Sequence, residues 1–202
     1  MDENPRYEEK KIKDKDWVDY THQQFNEILV TNSLRIVPPW SIGSDFDGHT
    51  VIIEPGSGFG VGTHPTTQLC LRWMEQNIVS GDSFLDFGSG SGVLSIFAKK
   101  LNCIKVEGIE IDQKAIDNAK HNIKLNKVNI PFHRSEQDII NDSFDNVVAN
   151  ILSETLIDLS PKLRLLTNNR LALSGILNNQ VDRVIKKFSE WIELRVHAKY
   201  DD

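Results

Sequence analysis

The residues best suited to chemistry gather in two glycine-rich runs. Asp86-Phe87-Gly88-Ser89-Gly90-Ser91-Gly92 lies between an apolar strand pattern and a helical one, so its glycines let the backbone turn tightly and approach a ligand closely. The spacing is G-x-G-x-G. It lacks the extra residue of the dinucleotide fingerprint, whose helix N-terminus receives a pyrophosphate, and this favours a nucleotide-like ligand without phosphate. Glu110 follows Gly88 at close to the roughly 20-residue spacing at which an acid grips ribose hydroxyls in such folds. The plainer reading of the glycines alone is an ordinary strand-to-helix turn.

The second run, Glu54 to Thr67, carries Gly56, Gly58, Gly60 and Gly62 and ends in Gly62-Thr63-His64-Pro65-Thr66-Thr67. So much glycine is costly in unfolded-chain entropy unless the backbone has a close approach to make, so we expect this loop to fold over the ligand site. Thr67, opening the next helix, offers a hydroxyl and free N–H groups to an anion. Thr66 and Thr67 also suit a simple N-cap pair, and His64 suits a loop histidine satisfied by backbone. Asn150 closes an apolar run, where it either faces a ligand or bonds a neighbouring turn.

These residues need a scaffold. Short apolar runs alternate with helical periods: strands are expected at 51–53, 83–85, 104–111, 130–133, 144–152, 170–177 and 192–200, and helices at 66–78, 92–101, 113–125, 154–166 and 181–191. Inward faces carry Leu69, Cys70, Trp73 and Met74 in the first helix and Ile116, Ala119 and Ile123 in the third. Asp112 is placed to cap that third helix. Such alternation predicts an α/β fold with a doubly wound, mainly parallel sheet from about Val51 onward. On that sheet Gly88, Glu110 and Asn150 all fall at the carboxyl ends of strands, where open α/β sheets bind ligands. Residues 1–16 are charge-rich and read as a flexible arm or linker, and 17–40 as a lead-in segment that begins helix-like, with Trp17, Tyr20, Gln24 and Ile28 near one face.

Composition narrows the classes. The chain has 202 residues, 39% hydrophobic and 26% charged, enough for one sizeable core. No apolar stretch is long enough to span a bilayer, and none near Met1 resembles a secretion signal. A net charge of −6 argues against a broad nucleic-acid footprint and suits a basic partner. Cys70 and Cys103 lack metal-ligand spacing and read as buried free thiols in a reducing cytosol; no metal site is expected.

The second glycine run resembles the signature of the methyltransferases that modify ribosomal large-subunit protein L11. Asp86 to Gly92, Gly108-Ile109-Glu110-Ile111-Asp112, Ala149-Asn150-Ile151-Leu152 and Leu173-Ser174-Gly175-Ile176-Leu177 follow in that family's order. The resemblance covers roughly 17–177. It implies the Rossmann-like fold of class I methyltransferases over 17–202, S-adenosylmethionine as cofactor, and methylation of lysine side-chain or terminal amines on a ribosomal protein in the cytoplasm. It assigns cofactor binding to Thr67, Gly88, Gly90, Glu110 and Asn150; from the chemistry of methyl transfer, Asn150 is also expected to orient the amine in catalysis through its side-chain oxygen. Glu110 stands where the family more often has Asp. The family's amino-terminal substrate-docking domain is expected to be absent, and its last strand has no counterpart before Asp202, so the sheet is expected to be one strand short. A non-catalytic cofactor-binding or interaction module is the alternative; a nicotinamide-dependent dehydrogenase fits the glycine spacing poorly.

Overall fold

The computed structural model describes residues 25–43, 45–56, 59–139 and 141–200. The expectations for 1–16 and for Trp17, Tyr20 and Gln24 lie outside these residues.

Five parallel strands form the main sheet: β4 (Ser83–Phe87), β5 (Lys105–Ile109), β6 (Phe132–His133), β7 (Phe144–Asn150) and β8 (Thr167–Ser174), in the order β6-β5-β4-β7-β8. Helices α1 (Pro65–Asn77), α2 (Val93–Lys100), α3 (Gln113–Leu125), α4 (Ser153–Leu166) and α5 (Val181–Phe188) alternate with them. Successive strand side chains point to opposite faces, so each buried strand feeds two cores. Phe84, Val106 and Val148 pack with Cys70, Leu71 and Met74 of α1 and Leu94 and Phe97 of α2. Leu85, Ile109 and Val147 pack with Leu156 and Leu163 of α4 and Val184 and Phe188 of α5. This is the expected doubly wound arrangement.

Three expectations are corrected. Ile28 opens a strand, β1 (Ile28–Thr31), which pairs antiparallel with β2 (Leu34–Val37), so this part of the lead-in is a hairpin rather than a helix. Second, the strand at Val51 does not start the main sheet. As β3 (His49–Ile52) it pairs in parallel with β2 in a separate three-stranded sheet. Val30, Leu34, Ile36, Val51 and Ile53 nevertheless join the core beneath α1 and α2, so the small sheet is part of the same packed body. Third, residues 192–200 form no strand despite the alternation of Ile192, Leu194, Val196, Ala198 and Tyr200. A ladder needs an adjacent backbone. Here a groove of about 440 Å³, lined by Leu171 to Gly175 on one side and Leu194 to Tyr200 on the other, separates this segment from β8. In α1, Leu71 takes the buried position expected of Leu69, while Leu69 and Trp73 line that groove.

Candidate ligand site at the carboxyl rim of the sheet

The rim is built where β4, β5 and β7 end. Beyond β4 the chain enters the glycine run, and Gly88 N and Ser89 N both donate to Ile109 O at the end of β5, at 2.8 and 2.9 Å. This bends the run across the top of β5 and places it beside Glu110. Gly88 and Gly90 have positive φ, 80° and 50°, a region that side-chain-bearing residues rarely adopt. A Cβ at Gly88 would collide with Ile151 Cγ2, and one at Gly90 with the carbonyl of Phe59. Both positions therefore need glycine for conformation and for space.

Glu110 braces the run from the side. Its Oε2 accepts from Gly90 N at 2.9 Å and its Oε1 from Asp112 N at 3.0 Å, while the carboxylate stays half-buried at the rim. Asp112 caps α3 as expected, its Oδ1 accepting from Lys114 N. Beneath the run Asp86, 1% exposed, accepts from Ser95 N and Ser95 Oγ through Oδ2, tying the strand end to the first turn of α2. Its other oxygen, Oδ1, is buried without a partner. Burial pushes the Asp86 carboxyl up to about 6 against the pull of the Ser95 bonds.

The second glycine run does close on the first. Ser91 N donates to Phe59 O and Ser91 Oγ to Gly60 O, at 2.8 and 2.9 Å. Gly58 lies outside the described residues. The helix that follows is capped by His64, not by the threonines: His64 Nδ1 accepts from Thr66 N and lies 2.7 Å from Thr66 Oγ1. Thr67 N donates to His64 O at 3.0 Å, so against expectation it offers no free N–H to an anion; its side chain is buried under Gly60 and accepts at Oγ1 from Asn150 Nδ2 at 3.4 Å. The side-chain acceptor of Asn150 is Oδ1.

The five expected site residues thus meet on one rim: Gly88, Gly90 and Glu110 around the first run, Thr67 and Asn150 bonded to each other beside it. Sequence reasoning missed two residues that hold this arrangement, Ser91 and Asn122. Asn122, wholly buried on α3, accepts from Glu54 N and donates to Ser91 O. A signal was present: Asn118, Asn122 and Asn126 recur every fourth residue, one stripe along a helix. Cys70 and Cys103 are buried free thiols, pushed up to about 12 by burial, which keeps them protonated. Among the described residues no three His, Cys, Asp or Glu side chains are placed to hold a metal, and no helix is long and apolar enough to cross a membrane.

The model of the ribosomal protein L11 methyltransferase (PrmA) family matches residues 1–202. A ribosomal protein L11 methyltransferase of Methylobacillus flagellatus is 42% identical over 191 residues, 94% of this chain and 64% of that protein; one of Cupriavidus necator is 38% identical over 198 residues, 97% and 66%. The chain therefore spans about two thirds of the length of these relatives. Among solved structures, a ribosomal protein L11 methylase from Lactobacillus delbrueckii subsp. bulgaricus superposes with a TM-score of 0.78 at 31% identity, covering 87% of this chain and 94% of that one. A methyltransferase from Pyrococcus furiosus, 19% identical with a TM-score of 0.55, shares the fold over 68% of this chain and 76% of its own. By its sequence and its fold, this chain belongs to the ribosomal protein L11 methyltransferase family.

Proposed function

We propose that the chain binds S-adenosylmethionine on the carboxyl rim and transfers its methyl group to amines of ribosomal protein L11, at lysine side chains or the terminal amine, in the cytoplasm. The observation that carries this reading is the convergence of Gly88, Gly90, Glu110, Thr67 and Asn150 on one rim. The residues fit the cofactor. A backbone cradle that tolerates no Cβ suits close approach by a nucleoside, the half-buried Glu110 carboxylate offers two acceptors for ribose hydroxyls, and Asp86 Oδ1 is a buried acceptor in want of a donor.

When bound, S-adenosylmethionine supplies a methyl carbon on a sulfonium, and the amine's lone pair forms the N–C bond as the C–S pair returns to sulfur. The chain's own task is alignment and exclusion of water. In this reading Asn150 Oδ1 accepts from the incoming amine and fixes its direction. The amine must be neutral to react, whereas free lysine titrates at about 10.4. Phe59, Ile111 and Leu152 are exposed apolar side chains on or beside the loops of the rim. Covered by a protein substrate, they lower the amine's pKa by desolvation, and its proton leaves to solvent or to a neighbouring acceptor.

A second reading, a donor-binding module without catalysis, draws on the edge of β8, which no strand among the described residues covers, and on the unladdered segment 192–200. Incubating the protein with methyl-labelled S-adenosylmethionine and isolated L11 separates the two. Label on L11 amines is the expected result; donor binding without any label transfer establishes the second reading.

A further inference from the structure

Asparagine is a poor residue for a helix interior, because its amide competes for backbone groups, and a buried amide costs free energy unless bonded. Helix α3 nevertheless carries Asn118 and Asn122 in its body and Asn126 at its C-cap, one stripe at four-residue spacing. The stripe faces the outer edge of β3, whose other edge is taken by β2. Asn126 accepts from Ile52 N at 2.9 Å and donates to Ile52 O at 2.6 Å, a closed pair like one rung of a ladder. Asn122 accepts from Glu54 N at 3.0 Å, and Asn118 donates to Glu54 O at 3.2 Å. Side-chain amides thus stand in for a missing strand.

Asn122 differs from its neighbours in where its other half goes. Its Nδ2 donates 3.0 Å to Ser91 O, inside the first glycine run. Ser91, wholly buried, is the same residue whose N–H and hydroxyl hold Phe59 O and Gly60 O. One amide therefore touches both runs, gripping the second at its start and the first near its end.

We propose that Asn122 is a positioning residue for donor binding: it sets the register of the second glycine run against the first, so the binding site is assembled by α3. The inference rests on the proposed donor site. Asn126 supplies the control, because it grips the same strand edge without touching the glycine run.

The test is a calorimetric titration of S-adenosylhomocysteine into wild type, Asn122→Asp and Asn126→Asp, with melting temperatures on the same samples. Aspartate keeps the shape and the acceptor but cannot donate. Both variants are expected to melt lower than wild type, while affinity falls about tenfold or more in Asn122→Asp and less than about threefold in Asn126→Asp, since a lost hydrogen bond is worth on the order of a tenfold change. Should Asn122→Asp not fold, Ser91→Ala, which deletes only the bond to Gly60 O, is expected to show the same loss. Equal affinity losses in both asparagine variants, or none in Asn122→Asp or Ser91→Ala, overturn the positioning role while leaving the donor site standing. A wild type that binds no donor overturns both.

Discussion

The two ends of the main sheet carry similar polar residues and use them oppositely. At the amino end, Asp145 Oδ2 accepts from Ser83 N and Ser83 Oγ, and its Oδ1 from Asn168 Nδ2; Asp82 accepts from Val79 N and Asn146 Nδ2 and lies 3.8 Å from Arg170. These groups spend their bonding capacity on one another. At the carboxyl end three buried side-chain atoms, Asp86 Oδ1, Ser89 Oγ and Asn118 Oδ1, have no partner, against Asn146 Oδ1 at the other end. Glycines there replace side chains, and Phe59, Ile111 and Leu152 stand exposed. Buried polar groups are normally bonded. The carboxyl rim leaves more of them without a partner than the opposite rim does, in keeping with the proposed donor site at one end and a stabilising network at the other.

Substitutions should separate the two. The largest effect is expected at Gly90, where Gly90→Val drives a side chain into the Phe59 carbonyl at positive φ. Backbone strain alone costs about 1–3 kcal/mol, and donor affinity should disappear with the loop's register, as calorimetry on the soluble protein would show. Next comes Glu110→Ala, expected to weaken donor binding by about 1.5–3 kcal/mol, the range for hydrogen bonds to a charged group, and also to lower melting temperature as Gly90 N and Asp112 N lose their acceptor. Asp145→Ala should touch stability alone: stability falls by about 1–3 kcal/mol in urea unfolding as Ser83 loses its acceptor, and donor affinity is unchanged. Loss of affinity in Asp145→Ala would erase the distinction between the rims.

The last contrast is in pH dependence, where the two ends differ in sign. Bonds from Ser83 hold the Asp145 carboxyl below its ordinary value, so its contribution to stability is present above about pH 4 and lost as pH falls through its depressed pKa. Burial raises Asp86 from 3.8 to about 6. Its contribution is fully present below about pH 4 and lost as pH rises through about 6. Melting curves should show Asp86→Asn removing a decline between pH 4 and 6, and Asp145→Asn removing one below pH 4. Identical pH profiles for wild type and both variants would refute these assignments.

The carboxyl rim was more legible in the sequence than the frame around it. Glycine spacing and an acid at a strand end are local patterns with few physical explanations, and Gly88, Glu110 and Asn150 fall where the strand pattern puts them. The hairpin β1–β2 was hidden because half of the lead-in reads as amphipathic. Alternation at 192–200 announced a strand that has no neighbour to pair with, since register and partner are tertiary facts. The cap on α1 went to His64 because an imidazole nitrogen accepts an N–H as a hydroxyl does. Asn122 and Ser91 were invisible as site residues for a different reason: each acts through backbone groups far away in sequence, and only the asparagine stripe hinted at it.

The proposed occupant of the carboxyl rim is S-adenosylmethionine. Its most direct test is a calorimetric titration of the unmodified protein with S-adenosylmethionine and, separately, with a nicotinamide dinucleotide. Saturable one-site binding of the first and none of the second is the result expected from the G-x-G-x-G cradle with Glu110 beside it. Binding of the dinucleotide in preference to S-adenosylmethionine would contradict it.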